Sequence, residues 1–111
     1  MSDYKLAALG DGRFELEGDV SFKTAENILR ESEKLFAAHD DIEVNLAAVR
    51  KTDSAGLALL LEWIRKTSGQ GRQIRFAAIP EKIHAIAVTA EIEELLKRAH
   101  SSGAASSADS S

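Results

Sequence analysis

Between Arg13 and Phe22 apolar and polar residues alternate. Phe14, Leu16, Gly18, Val20 and Phe22 fall on one side, and Arg13, Glu15, Glu17 and Asp19 on the other. A period of two belongs to a strand with one buried and one wet face. It predicts a strand over 13–22, with another over 3–9 before it. Gly10-Asp11-Gly12 between them accepts positive φ and closes a hairpin. The period then lengthens. Ala25, Ile28, Leu29, Leu35 and Phe36 recur at helical spacing, opposite Glu26, Arg30, Glu31, Glu33 and Lys34. The spacing predicts an amphipathic helix over 24–39, with Thr24 as its N-cap. Asp40-Asp41 ends it, and Ile42, Val44 and Leu46 alternate with Glu43 and Asn45 to predict a strand over 42–49.

A second helix is expected over 54–67, closed by Ser68-Gly69-Gln70-Gly71. Ile74, Phe76 and Ala78 mark a further strand. Pro80 suits the first turn of a third helix, whose Ile83, Ile86 and Ala87 face inward. A short last helix is expected over 91–99, with Ile92, Leu95 and Leu96 on its apolar side. The order β-β-α-β-α-β-α-α predicts an α/β domain with a mixed four-stranded sheet and about four helices. The strand at 42–49 is expected to be central, with its apolar face against helices 24–39 and 54–67.

Composition adds boundaries. Residues 101–111 hold six serines, three alanines, one glycine and one aspartate. Such a tail buries too little apolar surface to offset the entropy of ordering it, so disorder is expected there. That leaves one domain over 1–100. The formal charge is −4, from 14 basic and 18 acidic residues, which argues against a dedicated nucleic-acid binder. The absence of cysteine removes disulfides, thiolate chemistry and Cys-based zinc sites. The longest apolar run, Leu57 to Leu61, is too short to span a bilayer, and the N-terminus lacks an apolar signal core. A cytoplasmic protein without direct membrane insertion is expected.

Catalytic patterns are missing. His39, His84 and His100 share no segment and show no metal-ligand spacing. Gly10/Gly12 and Gly69/Gly71 match neither a dinucleotide fingerprint nor a phosphate loop, and no nucleophile elbow of the G-x-S-x-G kind occurs. The many carboxylates lie on wet faces, where nothing shifts one pKa against another. The expectation is a non-enzyme without metal or cofactor.

The informative stretch is Thr52-Asp53-Ser54-Ala55-Gly56-Leu57, between a predicted strand and a predicted helix. Asp53 and Ser54 both suit a helix cap. Gly56 is odd in a first helical turn, and a glycine there permits close approach of another surface. A hydroxyl at a helix N-terminus can hydrogen-bond a partner or accept a phosphate; as a bare cap it needs neither. On a helical projection Leu57, Leu60, Leu61 and Ile64 form the expected core stripe. Ala55, Leu59 and Trp63 fall on a flank, wider than one sheet face needs. That flank reads either as further core or as an interface ridge.

At these residues the chain resembles a known family. Asp53-Ser54-Ala55-Gly56-Leu57 is similar to the signature of STAS domains, the anti-sigma-factor antagonists and their relatives. The longer stretches Leu16–Ala25 and Asp53–Trp63, with the Ile79-Pro80-Glu81-Lys82 turn and the Leu95-Leu96 pair, resemble the STAS subunit of the Mla phospholipid-transport ABC system. The resemblance covers nearly all of 3–99. It implies a cytoplasmic subunit, peripheral to the inner membrane, that binds the transporter's ATPase and through it the membrane permease. That transporter maintains the lipid asymmetry of the outer membrane. It maps the ATPase contact to Ser54, and the expected partner-binding set is Thr52, Asp53, Ser54, Ala55, Gly56, Leu59 and Trp63. In the antagonist branch the position of Ser54 is the one a kinase phosphorylates. Phosphorylation-switched anti-sigma-factor antagonism is therefore the alternative.

Overall fold

The hairpin at Gly10-Asp11-Gly12 forms because all three residues take positive φ, at 98°, 57° and 79°. Gly12 also lies against the next strand. A Cβ there would sit 2.4 Å from the Asp41 carbonyl oxygen. A computed structural model of the chain describes residues 3–89. The elements are β1 (Tyr4–Gly10), β2 (Arg13–Val20), α1 (Phe22–Phe36), β3 (Asp41–Thr52), α2 (Ser54–Gly69), β4 (Gln73–Ala77) and α3 (Glu81–Thr89). The sheet runs β1-β2-β3-β4, with β1 antiparallel to β2 and the other two pairs parallel. The fold is thus the expected α/β domain with a mixed four-stranded sheet, in the order β-β-α-β-α-β-α. It has three helices among the described residues rather than about four. The helix expected over 91–99 and the tail at 101–111 lie outside the described residues.

All strands bury the same face. Phe14, Leu16 and Val20 of β2, Ile42, Val44 and Leu46 of β3, and Ile74 and Phe76 of β4 join the helices in one core. Ile42 and Val44 are fully buried, and β3 is an interior strand as expected. The other face is left to water. There Arg13 pairs in register with Glu43, and Glu43 with Arg75, so unlike charges face each other across the strands. Arg75 also reaches Asp41 at 3.0 Å. β3 outruns its neighbour: β4 stops opposite Asn45, while β3 continues beside β2 to Thr52. Residues 46–52 therefore have no strand partner on the β4 side among the described residues.

Both ends of α1 differ from expectation, β3 runs on to Thr52 rather than 49, and α2 to Gly69 rather than 67. Helix α1 begins at Phe22, capped by Ser21 rather than Thr24. Ser21 Oγ accepts the Lys23 N–H at 3.3 Å, and the Ser21 N–H donates to Thr24 Oγ1 at 3.0 Å. Thr24 is the third residue of a capping box. The β alternation thus stops at Val20, and Phe22, expected to point inward on a strand, is 75% exposed on the first helical turn. At its other end α1 stops at Phe36, before the expected His39. Arg72 closes that end. Its Nε donates to the His39 carbonyl at 3.0 Å, and its Nη2 to the Phe36 carbonyl. A guanidinium suits the negative end of a helix with unpaired carbonyls.

The core is threaded by aromatic rings. Phe14 and Phe36 lie 4.9 Å apart, Phe36 and Trp63 5.5 Å, and Trp63 and Phe76 6.1 Å. The indole would be stranded in this apolar setting without an acceptor for its N–H. Ser32, fully buried on α1, supplies it: Trp63 Nε1 donates to Ser32 Oγ at 2.8 Å. The hydroxyl in turn donates to the Leu29 carbonyl at 2.7 Å. Replacing Ser32 by Ala leaves the indole N–H buried and unpaired. Ser32→Ala is expected to lower stability by about 1–3 kcal/mol in urea unfolding. Adding Trp63→Phe to Ser32→Ala should cost less than Trp63→Phe costs the parent, because the orphaned donor leaves with the indole.

Candidate functional site

β2 and β3 run in parallel and end side by side, with Val20 opposite Thr52 in register. Each strand turns at once into a helix, so the N-termini of α1 and α2 lie next to each other at this end of the sheet. Asp53 takes extended dihedrals and acts as the N-cap of α2; its carboxylate accepts the Ala55 N–H at 2.8 Å. That occupies the carboxylate and leaves Ser54 free of capping duty. Ser54 is the first helical residue, is exposed, and its hydroxyl makes no hydrogen bond among the described residues. Neither helix carries an acidic residue in its first turn.

The seven candidate residues divide sharply. Thr52 and Asp53 are half-buried and Ser54 is exposed, so these three reach solvent together. Ala55, Gly56, Leu59 and Trp63 are buried. Leu59 and Trp63, expected on a flank off the core stripe, are 3% and 2% exposed, whereas Leu61 and Ile64 of the expected stripe are only half-buried. The inward face of α2 runs through Gly56, Leu60, Trp63 and Thr67, roughly a quarter turn from the predicted stripe. The rotation has two causes: Trp63 reaches Ser32 and the aromatic stack, and Gly56 packs against the chain itself. A Cβ on Gly56 would lie 2.0 Å from Thr52 Oγ1 and 3.1 Å from Ile83 Cδ1. The surface that approaches Gly56 is therefore the protein's own, not a partner's.

The outward face of α2 holds Ser54, Ala58, Leu61, Glu62 and Arg65, of which Leu61 and Glu62 are half-buried. Glu62 and Arg65 form an ion pair one turn apart. The Arg65 hydrogen bond holds the Glu62 carboxyl below its ordinary range, opposed by desolvation and helped by the Arg65 and Lys66 charges. Sequence reasoning missed Phe22. The signal available was Ser21 followed three residues later by a hydroxyl-bearing Thr24, which marks a helix start before Phe22. A cleft of about 280 Å³ lies between the C-terminal halves of α1 and α2, beside Phe36, Trp63, Lys66 and Arg72. Lys66 there is paired with Glu33 at 2.7 Å, and Arg72 caps α1. Among the described residues no cluster of three His, Asp or Glu side chains is placed to hold a metal. No described helix is long and apolar enough to cross a membrane.

A family profile described as Mlab, STAS domain, matches residues 7–97. The chain belongs to the STAS domain family. Solved structures share the fold. The anti-sigma factor antagonist SpoIIAA in its unphosphorylated form superposes with a TM-score of 0.63 at 15% identity, over 82% of this chain and 83% of that one. A sulfate transporter family protein from Wolinella succinogenes gives 0.63 at 16% identity, over 88% and 84%. The phosphorylated form of the Bacillus cell fate determinant SpoIIAA gives 0.61 at 15%, over 86% and 97%. At these identities the likeness is one of fold. No curated protein gives a significant match.

The packing of this STAS domain at Gly56 makes a direct test. Gly56→Ala improves helix propensity by about 0.8–1.0 kcal/mol but drives a methyl into Thr52 Oγ1. The clash is expected to win, with a net loss of about 1–3 kcal/mol in thermal unfolding. Adding Thr52→Ala removes the struck oxygen, so the double variant should recover most of that loss.

Proposed function

We propose that this STAS domain is a non-catalytic interaction subunit. It docks on the ATPase of a phospholipid-transporting ABC complex, and its contact is centred on Ser54. The observation that carries the reading is the division of labour at the start of α2. Asp53 caps the helix, and Ser54 beside it is exposed with an uncommitted hydroxyl at a helix N-terminus. Such a group can donate to a partner's carbonyl, while the free helical N–H groups beside it donate to the partner's acceptor oxygens. The family description supports the transport branch, as do the residues around Asp53–Trp63 that resemble the Mla subunit. Burial of Leu59 and Trp63 narrows the contact. The partner meets Thr52, Asp53, Ser54 and the outward stripe through Ala58 and Leu61, supported from behind by the tryptophan.

The second reading, an anti-sigma-factor antagonist switched by phosphorylation of Ser54, draws on the same exposed hydroxyl. It is supported by the fold shared with SpoIIAA, solved in phosphorylated and unphosphorylated forms. A phosphate on Ser54 would meet the N-termini of two helices that carry no acid within their first turns, although the Asp53 carboxylate that caps α2 adjoins it. The two readings part at the partner. Titration against the purified ATPase subunit of the cell's phospholipid transporter is expected to show saturable binding. Ser54→Ala should weaken it by about 0.5–2 kcal/mol. Ser54→Glu should weaken it at least tenfold, since an unpaired charge enters a desolvated contact. Normal thermal unfolding of each variant is the control. No binding of the parent to the ATPase, with phosphate transfer to Ser54 by an anti-sigma kinase, would move the function to the second reading.

A further inference from the structure

We propose that Phe22 is the apolar anchor of the docking surface. The ATPase would receive its ring in an apolar pocket rimmed by carboxylates. This rests on the docking reading above and adds an element to it, since Phe22 belongs to α1 and not to the Ser54 helix.

The position comes from the register. Val20 and Thr52 are paired, and Phe22 and Ser54 each follow their paired residue by two. Neighbouring strands lie about 4.8 Å apart, so the first turns of α1 and α2 share one small patch. Exposure singles the ring out. Phe22 is 75% exposed, against 49% for Leu9 and 46% for Val88, which lie by the hairpin and on α3. The fold does not need the ring there. A hydrophobic staple uses the residues flanking the cap at N′ and N4, here Val20 and Ala25, and Phe22 stands at N1. The capping box closes through Ser21 and Thr24 alone.

Charge identifies the occupant. The whole chain carries −4, yet exposed cations gather at this end. Lys23, Arg50 and Lys51 are exposed around the patch, and two helix N-termini open onto it without a first-turn acid. Of the carboxylates at this end, Asp53 holds the Ala55 N–H, Asp19 is half-buried opposite Lys51 in register, and Asp3 is exposed beside it. An aromatic ring within a basic rim fits an apolar pocket with an acidic rim.

The test is titration of the ATPase subunit with the full-length chain and its variants, at low and physiological salt. Phe22→Ala is expected to weaken binding at least tenfold, and Phe22→Leu less. The melting temperature of both should stay within a few degrees of the parent. Lys23→Glu and Lys51→Glu should each slow association and flatten its salt dependence. Leu9→Ala should bind as the parent does. Binding of Phe22→Ala within twofold of the parent, while Ser54→Glu loses it, would overturn the anchor and leave the docking reading standing. A large fall in melting temperature for Phe22→Ala would also overturn it, by showing that the ring serves the fold. A parent that fails to bind the ATPase would remove both.

Discussion

The hydrogen bond between the Trp63 indole and Ser32 fixes how the two long helices sit on the sheet. The indole occupies the middle of a run of rings drawn from β2, α1, α2 and β4. A buried donor in such a place must find its acceptor, and the acceptor stands on a different helix. The pair therefore sets the rotation of α2 about its own axis and its position along α1. Everything on the outward side of α2 follows. Ser54 is exposed because Gly56, Leu60 and Trp63 are turned in. The end where α1 and α2 begin is thus held in place from the far side of the core.

Much of this architecture could be read from periodicity. The alternation through Phe14, Leu16 and Val20 and through Ile42, Val44 and Leu46 located β2 and β3 and their buried face. The glycine-rich hairpin and the mixed sheet followed from turn chemistry and element order. The face of α2 did not. Its residues are apolar over so wide an arc that periodicity alone cannot choose the inward line. Two non-periodic facts make the choice. One is a polar Ser32 on the inner stripe of α1, which sequence patterning treats as an exception. The other is the fit between Gly56 and Thr52, which is visible only once β3 and α2 are joined in space.

The same limits shaped the candidate site. The motif from Thr52 to Leu57 marks the end of the molecule where α1 and α2 begin, and half of its residues face inward to build that end. Asp53 and Ser54, interchangeable as caps on paper, take different work once the helix start is known. Phe22 was hidden for the opposite reason. It continues a strand pattern by one residue after the strand itself has stopped, and the capping box that stops it uses a threonine in the third position.

The overhang of β3 beyond β4 bears on how the protein stays dispersed. An unpaired strand edge is a template on which another chain can grow, and repeated addition leads to insoluble assemblies. Here the overhanging segment carries Arg50 and Lys51 near its end, both exposed. Stacking a second copy against it would bring cations from each chain together and strip them of water. The two side chains are of the kind that guards against self-association through the edge that β4 leaves unpaired among the described residues.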